Sequence, residues 1–153
     1  MGMVLQSGVF MDHTEIESVA LGSNLRAVGI GAFSGCTQLA DIDLSNVTSM
    51  GAWAFQNCGL TSVSLHDSLA EIPGNAFYGC TGLASIAIPA SVTSIGNSAF
   101  FSCTSLREIS IPASVASIGN SAFMNTGLTA VTVPSTVTSL GTSVFSGCTE
   151  LAS

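Results

Sequence analysis

The sequence contains no lysine, and its only arginines are Arg26 and Arg107. Nine acids against these two cations leave a formal charge of -7. Charged residues make up 7% of the chain, where an ordinary globular domain has about a quarter. Binding to a phosphate backbone needs a basic footprint; none exists, so nucleic acid is excluded as a partner. Long apolar runs are also missing. No stretch approaches the roughly 20 residues that span a bilayer, which argues against membrane insertion. Catalytic signatures are absent too: no GxSxG, P-loop or Rossmann fingerprint follows a strand, and no CxxC spacing marks a metal site. The opening MGMVLQSGVFMD lacks a basic n-region and a cleavage site, so it does not read as a signal peptide, though a longer parent protein would be free to carry one.

What the chain does have is apolar material, 47% of 153 residues, and an internal period. Units begin at Ile16, Leu39, Leu60, Leu83, Leu106 and Leu128, each 21 to 23 residues long, with a further start at Leu151. Three residues into each unit stand Val19, Ile42, Val63, Ile86, Ile109 and Val131. Two further on are Leu21, Leu44, Leu65, Ile88, Ile111 and Val133, and a spacing of two is strand periodicity. Pro89, Pro112 and Pro134 follow directly in three units and end the strand, because proline removes a ladder donor; Gly22, Ser45 and His66 hold that place in the others. Inward positions follow at Leu25, Val47, Leu69, Val92, Val115 and Val137, then at Val28, Met50, Ile72, Ile95, Ile118 and Leu140, the latter usually followed by Gly. The Gly-Asn-Ser-Ala-Phe stretch reads as a corner opening a short helical turn. Phe33, Phe55, Phe77, Phe100, Phe123 and Phe145 form one column; Cys36, Cys58, Cys80, Cys103 and Cys148, with Thr126 in the fifth unit, form another. No unit can bury its apolar face alone, and stacking neighbours closes the core.

The pattern divides the chain into a partial repeat 1–15, six repeats over 16–150 and a partial repeat 151–153, all within a single domain 1–153. GVFMDHTEI near the start matches SVFSGCTEL near the end, so the sequence opens inside a repeat and closes in the first residues of another. Neither end carries a polar cap, which fits either a segment of a longer array or ends covered by other chains. The columns LxxIxIPxSVTSIGxxAFxxCTxL resemble the BspA-like class of leucine-rich repeats, over roughly residues 5 to 153. Units at Leu83 and Leu106 carry the likeness nearly residue for residue, through Leu83, Ile86, Ile88, Pro89, Val92, Ile95, Gly96, Ala99, Phe100 and Cys103. The unit at Leu39 departs from it, being short and carrying Trp53 at a usually small position. The resemblance implies an α/β repeat protein: a right-handed, horseshoe-like leucine-rich-repeat solenoid with short parallel strands on one side and turns or short helical segments on the other. It also implies a secreted or cell-surface microbial protein that mediates adhesion and protein binding, with no catalytic residues to carry over.

Each candidate site competes with a plainer reading. In-register cysteines on neighbouring coils lie within disulfide range, but parallel side chains point alongside one another, and a buried thiol behaves as a small hydrophobe. A structural thiol column is the expectation. His13 falls in that column and His66 in the proline column. Asp41, Asp43, Glu15 and Glu17 lie on or near neighbouring strands, where two carboxylates on one face are the minimum for Ca²⁺ or acid–base work; without an EF-hand pattern they read as a solvated acidic patch. No catalytic, cofactor or metal residues are therefore assigned, and the chain is expected not to be an enzyme. The outward strand positions are small, and mixed with Ala, Asp and Glu, so they suit neither a tight concave-face binder nor regular Ser/Thr ranks against a crystal surface. The larger residues lie elsewhere. Directly after the column Phe stand Tyr78, Phe101 and Met124 in consecutive units, with Trp53 one unit earlier. If they point outward they form an apolar stripe, the usual mark of an interaction site; otherwise they cover the core rim. The resulting expectation is a non-catalytic interaction module whose partner is a host or matrix protein. The alternative is a structural solenoid whose partner is another copy of itself, stacking end to end through Leu5, Val9, Phe10 and Leu151.

Overall fold

The structure is a computed structural model that describes residues 2–152; Met1 and Ser153, the last residue of the closing partial repeat, lie outside the described residues. The repeats form successive coils of a parallel-strand solenoid: 16–38, 39–59, 60–82, 83–105, 106–127 and 128–150, preceded by a partial coil. Two faces carry strands. On the face expected from the period-two columns lie β3 (Asp41–Leu44), β5 (Ser62–Leu65) and β7 (Ser85–Ile86), paired in parallel, with a bridge from Ser18 to Asp41. We call this face one. β3 and β5, which have Ser45 and His66 where later units have proline, run four residues; β7, closed by Pro89, runs two. No strand forms at the matching positions in the two Pro-closed units that follow.

Face two was not anticipated as strand. It is built from the second set of inward residues. It consists of β1 (Met3–Leu5), β2 (Leu25–Val28) and β4 (Ser49–Met50) in one sheet, and β6 (Glu71–Ile72), β8 (Ser94–Ile95), β9 (Ser117–Ile118) and β10 (Ser139–Leu140) in another. All its pairings are parallel.

The third side, the turn flank, corrects the sequence expectation. It holds no helix among the described residues, so the α/β assignment and its short helical segments do not stand. The reason is where the amide groups go. In the first coil Gly31, Phe33 and Gly35 donate their N–H groups to the carbonyls of Ala52, Ala54 and Gln56 in the next coil, while Ala32, Ser34 and Cys36 donate back three residues within their own. The same alternation recurs through the stack, for example from Asn75, Phe77 and Gly79 to Asn97, Ala99 and Phe101. An α-helix needs every N–H for its own i−4 carbonyl; here alternate N–H groups stitch coils together. Two left-handed residues bracket each Ala-Phe-x triplet, such as Ser98 (φ 55°) and Ser102 (φ 58°), and would break a helix wherever it tried to continue.

The core lies between the three sides. Phe33, Phe55, Phe77, Phe100 and Phe123 are fully buried and stack face to face at 5.3–5.7 Å, with interplanar angles no larger than 12°. Phe10 and Phe145 extend the stack at its ends, 5.4 Å from Phe33 and 5.8 Å from Phe123. Each ring contributes a few kcal/mol of apolar burial, and each pair a further ~0.5–1.5 kcal/mol. No helix among the described residues is long and apolar enough to cross a membrane.

Candidate interaction surface

The thiol column explains itself once the ladder is in view. Each of the five cysteines is buried and free. Cys58, Cys80, Cys103 and Cys148 donate S–H to the carbonyl of the preceding coil's stacked residue, Phe33, Phe55, Phe77 and Phe123, at 3.0–3.2 Å. Cys36 does the same to Phe10 at 3.2 Å. Those Phe carbonyls already accept the N–H of their own coil's cysteine or its equivalent, so both lone pairs are used. Thr126 keeps a hydroxyl in the column, 3.1 Å from Cys148 Sγ. Burial pushes the thiols up, Cys80 to about 12 and Cys58 and Cys103 likewise upward. A thiol held protonated is a poor nucleophile and metal ligand. These are scaffold groups.

The acidic and histidine candidates do not converge. Asp41 and Asp43 point outward from β3, and Asp43 accepts the Ser45 N–H at 2.9 Å, which holds its carboxyl below the usual range. Glu15 lies 2.8 Å from His13 Nδ1, and that hydrogen bond lowers its carboxyl in the same way. Glu17 is exposed. His66 Nδ1 accepts the Ser68 N–H at 3.0 Å. Among the described residues no three His, Cys, Asp or Glu side chains gather as metal ligands would.

The stripe residues are brought together on the turn flank. Tyr78 and Phe101, half-buried, stack at 4.7 Å with an interplanar angle of 2°. Trp53 leans on Tyr78 at 6.4 Å and 41°. Met124, also half-buried, holds the next place in the column. Trp53 is 41% exposed and sits at φ 64°, in a column that otherwise holds Gly8, Gly31, Asn75, Ser98, Ser121 and Ser143. Glycine accepts that conformation freely, Asn and Ser tolerate it, and a large aromatic residue does so only under strain.

The flank reaches further than the sequence stripe. Met11 follows Phe10 in the same column as Tyr78; it is exposed, with its methyl group over Gly31. Ile30, 57% exposed, packs against Gly51. Aligning the opening half-repeat on the later units would have found Met11; Ile30 gives no sequence signal beyond an isolated apolar residue at a corner. Of the end residues, Leu5 and Leu151 lie apart from this surface, while Val9 and Phe10 adjoin Met11 at its edge. Leu5 in β1 and Phe10 are half-buried at the first coil's edge, Val9 is exposed beside them, and Leu151 is half-buried at the opposite end of the stack.

The columns that build this scaffold recur in known proteins. A family model described as BspA type leucine-rich repeat region matches six copies, over residues 4–125 and 44–152. A leucine-rich cell surface protein from Faecalibacterium prausnitzii superposes with a TM-score of 0.86 at 29% identity, over 98% of this chain and 41% of that one. This chain therefore spans about two fifths of that protein's length. A T. pallidum leucine-rich repeat protein superposes at 0.91 with 31% identity, over 97% of this chain and 71% of that one. A leucine-rich repeat protein from Eubacterium ventriosum, at 22% identity and a TM-score of 0.82, shares the fold. Among curated proteins none matches the sequence. Six matched copies spanning nearly all of the chain, on a solenoid of the same shape, place it in the BspA-type leucine-rich repeat family.

Proposed function

We propose that the chain is a non-catalytic protein-binding module of a secreted or surface-exposed bacterial protein, and that it engages its partner through Trp53, Tyr78 and Phe101, with Met124 extending the contact. The observation that supports this is the strained, solvent-facing Trp53 beside a stacked Tyr–Phe pair, at a position where every other coil carries Gly, Asn or Ser. Backbone outliers of this kind gather at functional sites. Exposed Trp and Tyr are also the residues that most often dominate interface energetics. The Faecalibacterium relative is described as a cell surface protein, which favours the same setting. The test is binding to a panel of purified extracellular-matrix proteins, comparing the native chain with a Trp53→Asn, Tyr78→Ser, Phe101→Ser variant. Saturable binding by the native chain and loss of at least tenfold in the variant are expected; equal binding, or none by either, overturns the reading.

The second reading, end-to-end stacking of copies, draws on one observation. The carbonyls of Ser7, Val9 and Met11 and the N–H groups of Ser143, Phe145 and Gly147 stand at the flank positions that internal junctions pair, and among the described residues they make no such bond. Further coils of a longer chain would use the same groups. Light scattering that shows a monomer at every concentration would remove this reading for the chain as it stands.

A further inference from the structure

Face two is interrupted at one place, and a single residue accounts for it. At five junctions a glycine follows the second inward residue, and its N–H donates to the coil before: Gly29 to Leu5, Gly51 to Val28, Gly96 to Ile72, Gly119 to Ile95 and Gly141 to Ile118, all at 2.7–2.8 Å. The approach is so close that a Cβ on any of the five would collide with the preceding coil. In the third coil that position is Pro73. Its nitrogen has no hydrogen to give the Met50 carbonyl, and its ring occupies the space the other coils leave empty. Proline thus both withholds the bond and props the coils apart.

The consequences spread along the junction. The residue two places before β6's isoleucine donates to the coil before it elsewhere, as Thr93 does to Ala70 and Ala116 to Thr93, both at 2.8 Å; Ala70 makes no such bond to Thr48 among the described residues. Ser91 and Ser114 donate their hydroxyls to Leu69 and Val92 carbonyls at 2.7 and 2.6 Å, whereas the Ser68 hydroxyl turns to His66 Nδ1 at 2.7 Å. β4 and β6 accordingly belong to separate sheets. Between them lies a cavity of about 200 Å³ lined by Thr48, Met50, Leu69, Ala70 and Glu71 among others.

We propose that this cavity binds an alkylammonium group, the side chain of a lysine on a partner protein. Its base is apolar, from the buried Met50 and Leu69. By the register of the ladder, the Thr48 and Met50 carbonyls face the gap as acceptors, and Glu71 adds the only formal charge. An ammonium group has three donors and no acceptor, so two carbonyls and a carboxylate match it in number and sign, while a four-carbon stem suits the apolar base. By the same register the Ala70 N–H also faces the gap, one donor against two carbonyls and a carboxylate, so the acceptors remain in excess. The chain has no lysine of its own to fill the site. Arg26, one coil away, is bonded to the Ser23 carbonyl. The net charge of -7 favours approach of a basic partner. The site is distinct from the aromatic flank and stands or falls separately from it.

The test is an amide-resolved NMR titration of the intact chain with Nα-acetyl-lysine methylamide, with the Nε-acetylated compound as control. Saturable shifts centred on Ala70, Glu71 and Thr93 are expected with the charged probe and not with the control. Glu71→Gln should weaken binding about tenfold. Pro73→Gly restores the residue the other coils use, so it should fold, close the junction and abolish the shifts. No saturable shift, equal response to the acetylated control, or undiminished binding in Pro73→Gly would each overturn the proposal.

Discussion

The turn flank and face two cross the same junction, between coils 39–59 and 60–82, and behave differently there. On the flank Trp53, Phe55 and Asn57 still donate to Gly74, Ala76 and Tyr78, at 2.7–3.1 Å, and Phe55 stacks on Phe77 at 5.7 Å. On face two the strands do not pair. Face one compensates: β3 and β5 make their full four-residue pairing at this junction. Two junctions later the situation reverses. β7 has no strand partner beyond it, while β8 and β9 pair on face two. The solenoid therefore tolerates loss of either strand face, provided the other face and the flank remain. The flank is the constant element because alternate N–H donation and ring stacking act at every junction; the thiol bond joins them at all but one, where Thr126 replaces the cysteine and lies against Cys148 Sγ instead.

The strongest way to break this comparison is to remove a ring at the junction that has already lost face two. Phe77→Ala should cost about 3–5 kcal/mol, as buried Phe truncations do. It should also split unfolding in urea into two transitions, since neighbouring coils are the only support a solenoid coil has. Phe100→Ala removes an equally buried ring where face two is intact. It should cost a similar amount but leave a single transition. Two-state unfolding of both variants would mean that the face-two break carries no energetic weight.

A smaller effect separates the flank's thiols from the rest of the fold. Burial raises the thiols of Cys58, Cys80 and Cys103 in the folded chain, whereas an unfolded thiol ionises near about 8.5. Below that pH both states hold the proton and stability does not respond. Above it the unfolded chain releases protons that the fold retains, so stability falls with rising pH, by about 1.4 kcal/mol per pH unit for each thiol, until the folded thiol itself ionises. Urea midpoints measured between pH 8 and 10.5 should show this decline, and Cys80→Ala should remove one thiol's share of the slope. An unchanged slope in that variant would place the alkaline sensitivity elsewhere.

The sequence made most of the scaffold legible because column periodicity reports burial directly. Phe33 through Phe145, the cysteine column and the leucine starts all occupy the positions their spacing implied. The face-one strands ran their full four residues in the units closed by Ser45 and His66, shortened to two in the unit closed by Pro89, and shrank to a bridge at Ser18 in the opening unit. Two features were hidden. Face two was read as inward residues only, because Val28, Met50, Ile72, Ile95 and Ile118 are spaced three from the previous apolar column, and a two-residue strand leaves no alternation to detect. The helical expectation failed because Asn-Ser-Ala-Phe is compatible with a helical turn. Whether its N–H groups close inward or cross to the next coil depends on a neighbour that local sequence does not encode. At the candidate surface the column position of Tyr78, Phe101 and Met124 was visible, but the left-handed backbone of Trp53 was not.

Trp53 offers the smallest effect on stability and the sharpest separation of binding from folding. Asn occupies the equivalent position in the next coil, Asn75, at φ 58°, so Trp53→Asn relieves a left-handed strain worth about 1–2 kcal/mol. Against this it removes a ring that is 41% exposed and leans on Tyr78, and the burial lost is of the same order. The two should nearly cancel, leaving the unfolding midpoint within about 1 kcal/mol of the native chain while affinity for a matrix partner falls at least tenfold, as loss of an interface Trp usually requires. A destabilisation well beyond that with unchanged affinity would instead make Trp53 a packing residue, a strut across the junction that face two leaves open. Its tilt of 41° against Tyr78, where Tyr78 and Phe101 lie at 2°, would then reflect the wedge at Pro73 and not a surface kept for a partner.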